Sequence, residues 1–130
     1  MRQEIQMRRR SRITHAITIA AVVAAGVPAG AAAHASLVGT SPAAGSVVMR
    51  LPATVTIRFD QALGTVTSVR LLDASGGNHV AAAGLDPRDA RRVVVRTTRP
   101  VAGRYQLRWS VVATDGHRQQ GTVSFRARRP

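Results

Sequence analysis

Three residues of this sequence, His34, Asp115 and His117, have side chains whose chemistry suits a metal ion. Asp115 and His117 lie two positions apart, so in an extended chain both project on the same side, and Gly116 between them lets the backbone bend. Imidazole nitrogens and carboxylate oxygens are both metal ligands. By itself the tripeptide also suits a plain turn in which Asp115 binds its own backbone. The addition of His34 favours the metal site.

His34 follows three alanines that close a predicted secretory signal peptide, residues 1–33. An arginine-rich head, an apolar middle and a small-residue site are typical of such a peptide. Cleavage after Ala33 would make His34 the first residue, whose α-amine and imidazole Nδ1 can close a chelate ring around a metal. With nitrogen from His117 and oxygen from Asp115, this donor set suits Cu(II), with zinc as the competitor.

Two other interpretations of the N-terminal segment stay open. A second small-residue pattern, Ala33-His34-Ala35, would place the cut after Ala35 and remove the histidine. The apolar residues 13–33 are also about long enough for a membrane anchor, although two glycines and a proline interrupt them. Paired arginines near the start leave both Sec and twin-arginine export open.

The remaining residues, 34–130, are predicted to form one domain. These 97 residues suffice for a single core, and no second apolar stretch follows that would span a membrane. The sequence has no cysteine, so the domain has neither disulfides nor thiolate ligands.

The domain is strongly basic, with 14 arginines against five aspartates and no lysine or glutamate, a net charge of +9. Such a charge suits anionic partners. Most arginines, however, alternate with apolar residues, which predicts a solvated outer face of a sheet. Phe59, Tyr105, Trp109 and Phe125 all have core-facing parity, so no aromatic platform for bases is expected and no nucleic-acid partner is predicted.

Alternation with a period of two predicts half-buried β-strands along most of the domain. The alternating segments are 54–59, 68–72, 92–96, 104–114 and 122–126, and turn-forming clusters occupy 41–46, 73–78, 84–89 and 100–103. Residues 81–91 are predicted to be a long loop or one helical turn. The fold class is therefore all-β, a sandwich or a barrel.

The parity of segment 104–114, carried forward, places Asp115 and His117 on the core-facing row where it emerges at the rim of the sandwich. Two other polar residues receive simpler roles. His79 is expected to be exposed on a turn, and Asp60 to cap a turn.

At this point the chain resembles a known family. The segments HASLVGTSPAAGSVV, LPATVTIRFDQAL and YQLRWSVVATDGHRQQGTVSF are similar to the exported, copper-binding CopC family of bacterial copper resistance and homeostasis. The resemblance implies an immunoglobulin-like or cupredoxin-like Greek-key β-sandwich of about seven strands. It implies one Cu(II), held by the α-amine and imidazole of His34 and by Asp115 and His117.

The resemblance also implies a setting. It places the protein in the periplasm or outside the cell as a monomer, with copper as cargo and a membrane copper transporter of the CopD type as partner. Some family members carry a methionine-rich Cu(I) segment, but Met49 is the one methionine after residue 33, so we expect Cu(II) alone.

Two alternatives to a copper carrier remain. The histidine pair is also similar to the copper brace of polysaccharide monooxygenases, which would make the protein an oxidoreductase. The chain has no other catalytic pattern, so we predict no enzyme. The second alternative is a metal-free structural or adhesive β-sandwich, which becomes the leading interpretation if cleavage follows Ala35.

Overall fold

The computed structural model describes residues 35–130 of the chain. The predicted signal peptide and His34 lie outside the described residues, so these two expectations remain predictions.

Two four-stranded sheets make up the described part of the chain. The eight strands are β1 (Leu37–Ser41), β2 (Val47–Arg50), β3 (Thr54–Phe59), β4 (Leu63–Leu72), β5 (Val80–Asp86), β6 (Asp89–Thr97), β7 (Gly103–Ala113) and β8 (Arg118–Arg129). Sheet A has the order β1-β3-β6-β5 and sheet B the order β2-β8-β7-β4. The predicted all-β sandwich is confirmed, with eight strands where about seven were expected.

The core lies between the sheets and is built by the alternating residues. Inward side chains of β3 and β6 in sheet A meet those of β4, β7 and β8 in sheet B within one buried cluster. All four aromatic residues of the domain belong to it, and none is more than 6% exposed. The predicted parity of the strands is thus confirmed. Arginines at the alternate positions, such as Arg58, Arg70 and Arg108, are exposed as predicted.

The prediction for residues 81–91 was wrong. They form most of the β5–β6 hairpin, in which Ala83 pairs with Val95 and Leu85 with Val93, with the reversal at Pro87 and Arg88. The sequence of β5 is rich in alanine and lacks alternation, so no local pattern predicts a strand there. Its conformation is decided by pairing with β6 at the edge of the sheet. The edge strands β1 and β2 went unpredicted for a similar reason, since each has only five or four residues.

Tyr105 shows how the core accommodates a polar group. Its side chain is fully buried and stacks on Phe125 with ring centroids 5.4 Å apart. The hydroxyl donates a hydrogen bond to the Val101 carbonyl at 2.6 Å and accepts one from the Val101 N–H at 2.9 Å. Burial raises the pKa of Tyr105. The hydroxyl thereby ties the segment before β7 to the core.

Trp109 and Gly121 form a cross-strand pair between β7 and β8. A Cβ placed on Gly121 would overlap the indole ring, 2.9 Å from Cε2 and closer still to Cζ2. The glycine therefore leaves room for the indole against the β8 backbone.

We predict that Gly121→Ala lowers the free energy of unfolding by about 1–3 kcal/mol, because the new methyl group pushes the indole out of its position. Gly84→Ala is the matched control, since a Cβ at this β5 glycine meets nothing within 4 Å. The control should be neutral or stabilising by less than about 1 kcal/mol. Urea unfolding followed by tryptophan fluorescence measures both, and equal effects of the two variants would contradict the packing argument.

Candidate metal centre

Asp115 and His117 lie in the tight turn between β7 and β8. The Ala113 N–H donates to the His117 carbonyl at 2.9 Å, and the Gly116 N–H donates to the Ala113 carbonyl at 2.9 Å. Gly116 has a φ of 89°, in the left-handed region that a glycine adopts without strain. The sequence Thr-Asp-Gly thus closes the hairpin with a short loop ending in a left-handed glycine.

The extrapolation of the strand through Asp115 and His117 was wrong, because the strand ends at Ala113 and the chain reverses. The turn nevertheless brings the two side chains together. His117 Nδ1 lies 3.0 Å from Asp115 Oδ2, and the His117 N–H donates to Asp115 Oδ1 at 3.0 Å. One carboxylate therefore holds both the backbone and the ring of His117.

This contact determines which ring nitrogen suits a metal. A carboxylate oxygen accepts hydrogen bonds, so in the neutral ring a proton on Nδ1 faces Asp115 and the lone pair is on Nε2. A carboxylate on the second nitrogen of a histidine is a frequent arrangement around bound metals. The side chains are 28% and 59% exposed for Asp115 and His117, so the pair lies at the surface, within reach of an ion from solvent.

The described chain begins at the same end of the sandwich. Ala35 is fully buried. The Ser36 N–H donates to Asp60 Oδ1 at 2.6 Å, and the Asp60 N–H donates back to the Ser36 carbonyl at 2.9 Å. Asp60 was expected to cap a turn; instead it holds the entry of the N-terminal segment onto β3.

Strand register relates this entry to the turn. Leu37 at the start of β1 pairs with Phe59 at the end of β3, and Leu63 at the start of β4 pairs with Ala113 at the end of β7. Because β3 and β4 are joined by a short connection, these two pairs share one end of the molecule. Residue 34 itself lies outside the described residues, so the structure does not test its role as a ligand.

Within residues 35–130 no group of three or more His, Cys, Asp or Glu side chains could hold a metal ion. Asp115 and His117 are the two predicted site residues that the described structure brings together.

The prediction that His79 is exposed was wrong. It is 8% exposed and packs edge-on against Tyr105, with ring centroids 5.3 Å apart. Its Nε2 lies 2.7 Å from Asp73 Oδ2 and its Nδ1 lies 3.0 Å from the Arg99 carbonyl oxygen. Sequence reasoning overlooked Asp73, six residues earlier, because the aspartate was assigned to its own turn.

These contacts give His79 a structural role. Both ring nitrogens have polar partners in the fold, so the ring is held between the Asp73 carboxylate and the Arg99 carbonyl. Asp73 also accepts from the Ser75 hydroxyl at 2.6 Å and from the Gly77 N–H at 2.9 Å. These hydrogen bonds hold the pKa of Asp73 well below its usual range, and the bond from His79 has the largest effect.

The pairing and turn described above lie inside a segment that matches a known family. A family model for the CopC domain matches residues 37–128, most of the chain. The chain belongs to the CopC domain family.

Two solved structures have a fold similar to that of this chain. CopC from Methylosinus trichosporium OB3b superposes with a TM-score of 0.66 at 26% sequence identity, covering 73% of this chain and 94% of that one. PcoC, a methionine-rich copper resistance protein from Escherichia coli, superposes with a TM-score of 0.59 at 23% identity, covering 74% of this chain and all of its own length, which shows a shared fold. A search of curated protein sequences gives no match.

Two further findings bear on the sequence predictions. No helix in residues 35–130 is long and apolar enough to cross a membrane. In contrast to the methionine-rich PcoC, this sequence has three methionines, of which Met49 alone lies in the described range, half exposed on β2.

The bonds around Asp73 predict an acid-dependent loss of stability. The pKa of Asp73 is lower in the folded than in the unfolded chain. Its ionised carboxylate therefore stabilises the fold fully at pH values above the unfolded-state pKa of about 3.9, and this contribution is lost as the pH falls towards the folded-state pKa. Asp73→Asn should lower the melting temperature at pH 7 and flatten its decline between about pH 5 and 2.

Asp89→Asn is the matched control for the loss of one negative charge, because the Asp89 carboxylate accepts a single local hydrogen bond within the described residues, from the Arg91 N–H at 3.0 Å. Thermal unfolding followed by circular dichroism at several pH values measures the three proteins. If Asp73→Asn and Asp89→Asn gave the same curve, the Asp73–His79 cluster would not be the source of the acid sensitivity.

Proposed function

We propose that this protein is an exported Cu(II)-binding protein that sequesters copper or delivers it outside the cytoplasm. The observation that carries the proposal is the Asp115–His117 pair, held at 3.0 Å on the β7–β8 turn inside the CopC segment of the chain. The copper resistance named for PcoC, a protein of the same fold, supports copper as the cargo.

The proposed ligands are the α-amine and imidazole of His34 and the Nε2 atom of His117. In this proposal Asp115 acts mainly by orientation, because Oδ2 faces the Nδ1 atom of the His117 ring while Oδ1 holds its backbone N–H. Of the two roles considered for Asp115, direct ligand or orienting group, the proposal therefore assigns the orienting one.

The course of the chain supports a site of this composition. The hydrogen bonds between Ser36 and Asp60 bring the N-terminal segment in at the end of the sandwich where β7 turns into β8. A metal ligand on the residue before Ala35 would thus belong to a segment that enters at the same end of the sandwich as the β7–β8 turn. A chain cleaved after Ala33 would supply two nitrogens there at once, from its α-amine and its imidazole.

The donor chemistry supports Cu(II) as the oxidation state bound. Nitrogen and oxygen donors suit Cu(II), which also tops the affinity order of the divalent first-row metals, whereas Cu(I) prefers thiolates and thioethers. The sequence has no cysteine, and Met49 lies in β2, a strand of sheet B at the opposite edge from β4. A separate Cu(I) site is not part of the proposal.

The proposal includes a setting outside the cytoplasm and no enzymatic turnover. Export follows from the predicted signal peptide, and the partner is a membrane copper transporter of the CopD type acting with a monomeric carrier. The oxidoreductase alternative is tested directly: copper-loaded protein with ascorbate and oxygen should consume no ascorbate beyond one equivalent per copper, and multiple turnovers would favour the histidine-brace enzyme.

The mass of the exported protein tests the predicted cleavage site and the terminal chelate together. We expect a chain that starts at His34 and gains one copper in native mass spectrometry when one equivalent of Cu(II) is added. A chain starting at Ser36, or one that keeps its first 33 residues, would lack the terminal chelate and contradict the proposed ligand set.

Substitutions in the β7–β8 turn test the proposed ligands. His117→Ala should weaken Cu(II) binding by more than about a hundredfold because it removes a ligand, and Asp115→Asn by about 10–100-fold because it disturbs the ring's orientation. Arg118→Ala, an exposed neighbour, is the control and should bind as the wild type does. Competition titrations with a chromophoric chelator measure all three affinities.

The same titration, repeated at several pH values, tests whether copper binds to nitrogen ligands that can be protonated. Protons compete with copper for the imidazoles and the α-amine, so the affinity should fall as the solution becomes acidic. Tight binding retained by His117→Ala at every pH would show that the copper site lies elsewhere.

A further inference from the structure

The outer face of sheet B carries an uncompensated positive charge. The four strands of this sheet contain no aspartate or glutamate. Their exposed outward arginines are Arg70 on β4, Arg104 and Arg108 on β7, and Arg118, Arg126 and Arg128 on β8. Among residues 35–130 the arginine with a carboxylate ion pair is Arg92 of sheet A, 3.0 Å from Asp86. The charge on sheet B is therefore balanced by solvent ions or by a ligand.

Strand register places these arginines directly opposite one another. Arg70 on β4 pairs with Arg108 on β7, and Arg104 on β7 pairs with Arg126 on β8. Like charges in directly opposed positions destabilise a sheet. An anion bound between two such guanidinium groups would remove this repulsion.

A groove lies at the first of these pairs. It has a volume of about 320 Å³ and is lined by Ser68, Arg70, Arg108, Ser110, Gln120 and Thr122, together with Trp109 and Gly121. The Arg108 Nη2 atom donates to Gln106 Oε1 at 2.8 Å, which steadies that side chain beside the groove. The lining thus combines two cations with three hydroxyls and an amide.

Ser110 supplies an independent observation. Its neighbours Trp109 and Val111 are buried in the core, so the Ser110 side chain projects to the outer face, where the groove lies. Its hydroxyl oxygen is nevertheless buried and has no hydrogen-bond partner in the structure. Buried hydroxyls are normally hydrogen-bonded, and one left without a partner costs free energy. A ligand in the groove would supply the missing partner.

We propose that this groove is a binding site for a phosphate-type oxyanion, held between Arg70 and Arg108 with a hydrogen bond from Ser110. Guanidinium groups bind such oxyanions through paired N–H donors, and the hydroxyl completes the set. The oxyanion is either free phosphate or the headgroup of an anionic phospholipid. The site is distinct from Asp115 and His117 and does not depend on the proposed copper function.

A second groove helps to separate these two sources. It has a volume of about 170 Å³ and lies at the other pair, Arg104 and Arg126, with Ser46 and Ser124 in its lining. Arg104 and Arg108 are four residues apart on one strand, about 13 Å. A membrane presents headgroups to both grooves at once, whereas free phosphate in the first groove does not involve the second.

The first experiment titrates inorganic phosphate into the copper-free protein and follows the backbone amide resonances. We expect shifts concentrated at Ser68, Ser110 and Gln120, and binding weakened at least about tenfold in the double variant R70Q/R108Q. The control R58Q/R96Q removes two exposed arginines from sheet A and should bind as the wild type does.

Ser110→Ala separates a ligand contact from a structural one. Because the hydroxyl has no protein partner, its removal should not lower the melting temperature without phosphate, yet it should reduce the rise in melting temperature that phosphate causes. A loss of stability without phosphate and an unchanged phosphate effect would assign the hydroxyl to the fold and overturn its place in the site.

The second experiment measures co-sedimentation with vesicles of phosphatidylglycerol and phosphatidylcholine, and with phosphatidylcholine alone. Binding to the first vesicle only, lost in R70Q/R108Q and weakened in R104Q/R126Q, identifies the headgroup as the source. Phosphate binding without vesicle binding identifies the free ion. The proposal is overturned if R70Q/R108Q matches R58Q/R96Q in both experiments, or if phosphate shifts resonances evenly over the surface.

Discussion

The pairing of β7 with β8 is the interaction on which the rest of this structure depends. Its register runs without interruption from Gly103 opposite Ala127 to Val112 opposite Arg118. A slip by one residue would turn the buried row of β7 outward and bring its arginines into the core. The same register sets the turn that follows, so the position of Asp115 against His117 depends on the packing of the whole hairpin.

The two faces of this hairpin have different chemistry because strand residues alternate. Inward, Tyr105 and Trp109 pack against Phe125 and Gly121, and a core without disulfides is held by these contacts. Outward, the alternate positions present arginines, which keep the sheet soluble but face one another across the strands. The charge that favours solubility thereby also creates the oxyanion groove that we propose.

Aspartates in this chain act mainly by organising turns and segment ends. Asp73 gathers His79, Ser75 and Gly77, Asp60 holds Ser36, and Asp115 holds His117. The first of these clusters is nearly buried, and both ring nitrogens of its histidine have polar partners within the fold. The third is exposed, and its histidine is oriented with one nitrogen towards the carboxylate. The two aspartate–histidine pairs therefore differ in role because one is nearly buried and the other is exposed.

The sequence by itself determined the all-β class, the parity of the five alternating segments, the outward arginines and the likeness to the CopC family, because alternation and short motifs are local properties. It failed for β5, whose alanines follow no pattern, and for His79, whose partner came from a neighbouring turn. Tertiary structure decided that Asp115 and His117 face each other in a turn, and that Arg70 opposes Arg108 in a groove that Ser110 also lines. The first arrangement depends on where the β7–β8 pairing ends the strand, and the second on the register between β4 and β7, which are far apart in the sequence. Register is set by the packing of two sheets against one core.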